Sequence, residues 1–195
     1  MSKPVRKMDR RTVYTLTVIK DAFIALIKQK SYEDITVVQV CRAADITRST
    51  FYLHYDNLSG VLNAVLDDAL MFSGRQVGMV SDSAPTTIDE LKGNESQLAA
   101  CQRVADSDKY HDLLMDPALS EYIIGRILTH EHDRMVPAIQ KRTGLSRADA
   151  ETIFVYTVHG SFAINRQNKF IKNEAWYHDL QLLNQFSNGG FSGFK

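Results

Sequence analysis

Residues 35–55 read ITVVQVCRAADITRSTFYLHY, and this stretch predicts two short helices joined by a tight turn. Thr36 and Gln39 match a capping box, in which side chains accept hydrogen bonds from free amides at a helix start. Asp45 suits the turn because a short polar side chain tolerates left-handed backbone. Thr47 can cap the second helix. The stretch therefore predicts a helix-turn-helix, whose second helix can lie in the DNA major groove.

Besides the residues expected to pack in the core, the second helix carries several polar side chains. Phe51 and Tyr55 are spaced i and i+4, so we expect them to be buried. Arg48 is the expected base-edge or phosphate contact, because arginine can pair bidentately with guanine. Hydroxyl and imidazole groups are expected to bind phosphates, which fix register without reading sequence. The remaining expected DNA contacts are Ser49, Thr50, Tyr52, His54, Thr36 and Thr47.

The charge is unevenly distributed, although Lys and Arg balance Asp and Glu over the whole chain at 23 each. Residues 1–60 have a net charge of +4 and residues 61–195 a net charge of −4. This asymmetry is typical of a DNA reader joined to a domain that does not touch DNA. The alternative is a solvated basic helix and tail in an ordinary helical protein. The arm residues expected to assist DNA binding are Lys3, Lys7, Arg10 and Arg11.

The same residues resemble the N-terminal DNA-binding domain of TetR/AcrR bacterial regulators. The resemblance covers about residues 10–70. It is carried by Thr36-Val37, by the stretch from Arg48 to Tyr55, and by Ala22-Phe23 in the preceding amphipathic helix. It implies helices at Arg10–Lys30 and Thr36–Ala43, a recognition helix at Thr47–Leu53, and a fourth helix from about Asn57.

One position departs from that family pattern. Members often carry a lysine near the start of the fourth helix, where it contacts a phosphate, whereas this chain has Leu58 followed by Ser59 and Gly60. Backbone amides at that helix start can still bind a phosphate. Weaker DNA binding, or a partner that assists it, therefore stays open.

The fold expectation is all-α, with a DNA-binding domain at 1–56 and a regulatory and dimerisation domain at 57–195. Helix four, at about 57–73, connects them through an apolar stripe. Residues 73–85 are expected to form a loop, followed by a short helix at 86–91 and helical segments from 95 to 115. The expected stripe of helix four is Val61, Leu62, Val65, Leu66 and Ala69.

Three longer helices are expected in the C-terminal part. Asp116-Pro117 marks the start of a helix that runs towards Arg142, with Pro137 kinking it or breaking its last turn. Gly144 can end that helix in a left-handed conformation. The following helices are predicted at 147–171 and 174–186, the last ended by Asn188-Gly189-Gly190.

Two readers on a two-fold axis gain affinity and specificity, so a homodimer on a palindromic operator is expected. The resemblance implies that the two C-terminal helices form a four-helix interface with their mate. The alternative is that these residues form only the internal core. The expected dimerisation residues are Phe154, Val158, Ser161, Phe162, Leu180 and Leu183.

The resemblance also implies a small-molecule effector in the second domain, although no chemical class of ligand follows from the sequence. Each candidate is more readily explained as a plain core residue than as a ligand contact. The candidates are Met115, Tyr122, Ile124, Phe154 and His159.

Other functional classes receive less support. No apolar stretch approaches the roughly 20 residues that a membrane span needs, and no signal core follows the N-terminus, so a cytoplasmic protein is expected. Cys41 and Cys101 are too few for a disulfide framework or a cysteine zinc site. His130 and Asp133 could share a metal in a helical enzyme, but no phosphate loop, nucleophile elbow or HExxH motif is present. We expect no enzyme activity, no cofactor and no metal.

The sequence therefore predicts a homodimeric transcription regulator, a repressor that an effector releases from its operator. The alternative is a co-regulator whose second domain binds a protein partner instead of a small molecule.

Overall fold

The computed structural model describes residues 9–70, 72, 87–93 and 107–194. Within these ranges the regular structure is all-helical, which confirms the predicted fold class. The chain divides into two compact units, Met1–Leu66 and Asp67–Lys195. The helices are α1 Arg10–Ile27, α2 Val37–Ala43, α3 Arg48–Tyr52, α4 Leu58–Ala69, α5 Ile88–Gly93, α6 Ser107–Met115, α7 Ser120–Thr143, α8 Arg147–Gln167 and α9 Glu174–Ser192.

Helix α1 is the longest helix of the first unit. It begins after Asp9, whose side chain accepts a hydrogen bond from the Arg11 amide. Its inward face buries Ile19 and Phe23 completely. The helix ends at Ile27, three residues before the predicted end at Lys30.

Helix α4 has the apolar stripe that its spacing predicts. Each of its five stripe residues is at most 1% exposed, namely Val61, Leu62, Val65, Leu66 and Ala69. Residue Asn57 caps the helix, because its Oδ1 accepts a hydrogen bond from the Gly60 amide at 3.0 Å. The helix ends at Ala69. Residue 73, its predicted end, lies outside the described residues.

Helix α7 begins as the Asp116-Pro117 signal predicts. The Asp116 carboxylate accepts from the Ala118 amide at 2.9 Å, a 3₁₀ turn covers Pro117–Leu119, and α7 continues from Ser120. Of the two outcomes predicted for Pro137, a kink or a break of the last turn, the break does not occur, since α7 runs on to Thr143. The reason is tertiary: Val136 and Ile139 on either side are buried, and their packing outweighs the one backbone hydrogen bond that proline removes. Gly144, with φ 75°, closes the helix as predicted.

Helix α8 starts at the predicted cap but ends earlier than predicted. The Ser146 hydroxyl accepts a hydrogen bond from the Asp149 amide at 3.2 Å. The helix stops at Gln167 because Lys169 and Phe170 both take left-handed backbone with φ 53°. That turn buries Phe170, whose ring lies 5.6 Å from the ring of Phe162.

Helix α9 is longer than predicted, because it continues through Gly189-Gly190 to Ser192. The predicted end at Phe186 was therefore wrong. Arg142 on α7 holds the extension: it donates to Asn188 Oδ1 at 2.9 Å, and its guanidinium lies 4.6 Å from the Phe191 ring centroid. Tertiary contacts thus override the low helix propensity of glycine.

Long-range hydrogen bonds join the helices of the second unit. Asn165 Oδ1 accepts from the indole nitrogen of Trp176 at 2.6 Å, linking α8 to α9. Arg166 donates to the Ser120 hydroxyl and, at 3.2 Å, to the Met115 carbonyl, linking α8 to α6 and α7. Asn165 and Arg166, two neighbouring polar residues of α8, therefore join this helix to the helices around it.

The short helix α5, predicted at 86–91, lies at Ile88–Gly93 and packs on α9 through Leu91. Several other predictions fall outside the described residues: Lys3 and Lys7, the loop at 73–85, the helix at 95–104, and Cys101. In the described ranges no helix is both long and apolar enough to span a membrane.

Candidate nucleic-acid interface

The first helix of the predicted motif is capped at its start. The Gln39 amide donates to Thr36 Oγ1 at 3.3 Å, and Gln39 Oε1 accepts from the Thr36 amide at 3.0 Å. This reciprocal pair confirms the predicted capping box. Both side chains are therefore already engaged within α2.

The turn between α2 and α3 has the predicted left-handed residue. Asp45 has φ 51°, a region that aspartate tolerates better than most residues. The Ile46 amide then donates to the Cys41 carbonyl at 3.0 Å and closes the turn. Burial raises the pKa of the Cys41 thiol, and the nearby charge of Arg48 opposes that shift. Cys41 therefore acts as a small core residue beneath the motif.

Helix α3 is fixed at its start and on its inner face. Thr47 Oγ1 accepts from the Thr50 amide at 3.1 Å, and the two threonine hydroxyl oxygens lie 2.9 Å apart. Phe51 is fully buried, with its ring 5.4 Å from that of Tyr52 and 6.0 Å from that of Tyr55. This anchoring residue sets the rotation of α3 about its axis.

The structure brings most of the predicted DNA contacts to the exposed side of the motif. Arg48, Ser49 and Tyr52 are exposed, whereas Thr50 and His54 are half-buried. The cap residues Thr36 and Thr47 are exposed as well, with their hydroxyls bonded inside the helices.

One residue of this surface was missed. Leu53 is 80% exposed, the most exposed of the large apolar side chains among the described residues. Leu53 lies four residues after Ser49, so the two side chains share one side of the helix. The exposure of Leu53 could therefore have been predicted from the sequence.

The start of α4 offers fewer free amides than the sequence suggested. Asn57 already accepts the Gly60 amide. The Tyr32 and Ser59 hydroxyl oxygens lie 3.3 Å apart, so Ser59 is close to a second polar group. Leu58 is partly buried and brings no charge to this helix start.

The predicted dimerisation residues lie in the core of the second unit. Five of them are at most 6% exposed, and only Leu183 is half-buried. The exposed apolar residues of the same two helices are Val155, Tyr156, Leu182 and Phe186, which we call the α8–α9 outer face. The site of dimerisation stays a prediction, but the buried side chains are not on the surface of the protomer.

The five predicted effector contacts differ in burial, and their role stays a prediction. Ile124 and Phe154 are buried, Tyr122 and His159 are exposed, and Met115 is half-buried. An open cavity of about 460 Å³ between α7 and α8 contains only one of them, Phe154. Its lining is Leu128, Thr129, His132, Asp133, Glu151, Phe154 and Val155.

An ionic bridge crosses one side of this cavity. His132 Nδ1 lies 2.9 Å from Asp133 Oδ1, and its Nε2 lies 3.4 Å from Glu151 Oε1 on the next helix. The hydrogen bond with Asp133, assisted by Glu151, raises the pKa of His132. Arg147, which donates to Glu151 at 3.0 Å, lowers the pKa of that carboxyl group.

His130 and Asp133, the two residues that could share a metal, contact different neighbours: Asp133 contacts His132, and His130 contacts two other residues. The His130 ring stacks on Phe72 with centroids 3.8 Å apart, and its Nδ1 lies 3.1 Å from Glu131 Oε1. Across the described ranges, no group of three or more His, Cys, Asp or Glu residues is arranged to hold a metal ion.

Comparison with known proteins gives a local sequence match and a distant structural similarity. No family model matches the chain. Over 62 residues, 31% of this chain, the sequence is 34% identical to the uncharacterized HTH-type transcriptional regulator YxbF of Bacillus subtilis (strain 168). That match spans only 16% of the length of YxbF. The dihydroxyacetone kinase operon activator DhaS aligns with a TM-score of 0.47 and 18% identity, over 88% of this chain and 94% of its own.

Proposed function

We propose that this chain is a DNA-binding transcription regulator that binds a palindromic operator as a homodimer. The observation that carries the proposal is the capped α2–α3 pair, which holds Arg48, Ser49 and Tyr52 on one exposed side. The sequence similarity to an HTH-type transcriptional regulator supports the same function. The chain itself then acts on DNA without catalysing a reaction.

The proposed role of each side chain follows from its chemistry. Arg48 stands at the first position of α3 and reads a base edge, since helix starts approach the bases in this kind of motif. Ser49, Tyr52 and His54 bind phosphates. Arg10 and Arg11, both exposed at the start of α1, add positive charge.

The α8–α9 outer face supports dimerisation with a second copy. Residues 152–165 and 180–194 contain no Lys, Arg, Asp or Glu. Tyr156 and Phe186 are each 65% exposed there, and the proposal is that these two side chains pack against a second copy. A self-complementary, uncharged patch is what a two-fold interface needs.

We further propose that the regulator represses, and that an effector bound in the second unit releases it from DNA. Such a ligand acts only if it binds the DNA-free state more tightly than the DNA-bound state. Dissociation of a preformed protein–DNA complex by a metabolite panel tests this part, and a panel without effect on the complex contradicts it.

The DNA part of the proposal is tested by fluorescence anisotropy on the DNA upstream of the gene for this chain, against a random duplex, over a salt series. We expect a specific complex of two chains per site that weakens steeply as salt rises. Arg48→Ala costs about 1–3 kcal/mol on the operator and less on random DNA if it reads a base. Arg42→Ala removes one exposed positive charge from the neighbouring helix and is the matched control. An equal loss on both duplexes overturns the base-reading role of Arg48.

Sedimentation velocity tests the proposed interface. Tyr156→Asp and Phe186→Asp place charges on the outer face and are expected to give monomers. Ile171→Asp is the control, because this residue is 46% exposed in the connection between α8 and α9. Unchanged dimers in both aspartate variants place the interface elsewhere.

A co-regulator that binds a protein partner is the alternative function. Leu58 in place of a phosphate-binding lysine favours it, together with the engaged Gly60 amide. Equal weak binding to both duplexes, with one stoichiometric protein partner in a pull-down, supports this alternative over the operator proposal.

A further inference from the structure

The rotation of α3 decides which side chains can enter a major groove. Phe51 is fully buried and points into the core. With 3.6 residues per turn, Ser49 and Leu53 stand roughly 160° and 200° around the axis from it. Leu53 keeps helical backbone at φ −71° and ψ −19°, so this placement holds to the end of the helix. The outermost stripe of α3 therefore consists of one serine and one leucine.

Most hydroxyls on the motif already have partners inside it. The hydroxyl groups of Thr47 and Thr50 lie 2.9 Å apart, and Thr47 also accepts an amide. The Thr36 and Gln39 side chains are engaged in the capping box. Stabilising two very short helices thus engages these hydroxyl and amide groups, and among the exposed polar side chains of α3 the proposed base reader is Arg48.

Ser49, proposed above to bind a phosphate, adds little discrimination even where it meets a base, because a hydroxyl can donate to or accept from any base edge. Leu53, in contrast, presents an apolar surface that is 80% exposed. In the major groove the apolar feature of a base pair is the C5 methyl group of thymine. A leucine beside Ser49 on the outward stripe is complementary to that methyl group and to no polar base edge.

We infer that Leu53 is a specificity-determining residue that contacts a thymine methyl group in each operator half-site. The inference rests on the proposed DNA-binding function. It adds a chemical property of the operator, because each half-site then contains at least one thymine whose methyl group contributes to affinity.

The test begins with selection of bound duplexes from a random library by the full-length chain. Each thymine of the enriched site is then replaced in turn by deoxyuridine, which lacks only the methyl group. For the wild-type chain, one replacement per half-site is expected to weaken binding about four-fold, the effect of removing one buried methyl-sized group. For Leu53→Ala, the same replacement is expected to have no effect.

Two controls separate this result from a folding defect. Leu53 is largely exposed, so Leu53→Ala should keep the wild-type circular dichroism spectrum and melting temperature. Ile171→Ala removes another exposed apolar side chain, far from α3 in the sequence, and should keep the four-fold thymine preference.

The outcomes distinguish the two levels of the proposal. If no sequence is enriched and all duplexes bind equally weakly, the proposed DNA-reading function fails and this inference fails with it. If a site is enriched but deoxyuridine costs nothing, or costs the same in wild type and Leu53→Ala, only the role of Leu53 is overturned.

Discussion

The two units of the chain are stabilised by contacts of different sequence range. In Met1–Leu66, side-chain caps join residues three positions apart, as in Thr36 with Gln39 and Asn57 with Gly60. In Asp67–Lys195, the hydrogen bond between Trp176 and Asn165 spans 11 positions, and that between Arg142 and Asn188 spans 46. Local caps therefore account for much of the first unit, which also has the Tyr32–Ser59 contact over 27 positions, whereas long-range hydrogen bonds join most helices of the second unit.

The difference extends to buried polar groups. Asn165, Glu131 and Asn184 of the second unit are each at most 5% exposed. A buried polar group is costly without a partner, and Asn165 has one on the next helix, where it accepts from Trp176 and so fixes α8 against α9. The second unit therefore tolerates substitution of single polar core residues poorly.

The largest expected effect separates the two units. Phe51→Ala removes a fully buried ring and should cost about 3–5 kcal/mol. The chain has one tryptophan, Trp176, so its fluorescence reports the second unit alone. In urea we expect an early loss of part of the far-ultraviolet circular dichroism, while the fluorescence midpoint moves little. Equal shifts of both signals would show that the two units unfold as one cooperative unit.

A smaller loss is expected from a single polar substitution in the second unit. Asn165→Leu keeps the branching at Cγ but leaves the buried indole N–H of Trp176 without its acceptor, at a cost of about 1–3 kcal/mol. The urea midpoint of Trp176 fluorescence measures it. Gln167→Leu, two residues on and exposed, should leave that midpoint unchanged. A stabilised Asn165→Leu chain would contradict the role given to this hydrogen bond.

Removing a local cap should cost less. Thr36→Ala deletes the acceptor for the Gln39 amide and is expected to lower stability by about 1 kcal/mol, detected by thermal circular dichroism. Thr36→Ser retains the hydroxyl and should restore most of the loss. If serine is as destabilising as alanine, the cap is not the source of the effect.

The smallest effect is the pH dependence of the α7–α8 ionic bridge. Because the pKa of His132 is raised in the folded chain, its stabilising contribution is fully present below the ordinary histidine pKa and is lost as pH rises through the raised value. His132→Gln should remove this part of the decline in melting temperature between about pH 6 and 8. His178→Gln, an exposed histidine on α9, is the control. Identical pH profiles for wild type and His132→Gln would show that the bridge does not contribute.

Most of the first unit could be predicted from the sequence. The capping box, the left-handed Asp45, the Thr47 cap, buried Phe51 and the stripe of α4 are all confirmed. Each of these features depends on residues at most four positions apart along a helix. Short spacing makes them readable without knowledge of the tertiary fold.

In the second unit, spacing along the sequence does not predict which side of each helix is buried. Helix α8 is apolar around much of its circumference, so its pattern does not say which side faces the core and which faces outwards. The structure buries Phe154 and Phe162 and exposes Val155 and Tyr156, which the sequence alone did not distinguish. Any account of dimerisation must therefore start from the outward residues.

Local backbone and capping preferences were enough to predict the all-helical class, the helix-turn-helix and the starts of α7 and α8. The continuation of α7 past Pro137 and of α9 past Gly189-Gly190 depends on contacts between distant residues. The same contacts set which faces of α8 and α9 stay exposed. At these places packing and hydrogen bonds with distant residues outweigh local propensities of about 1–3 kcal/mol.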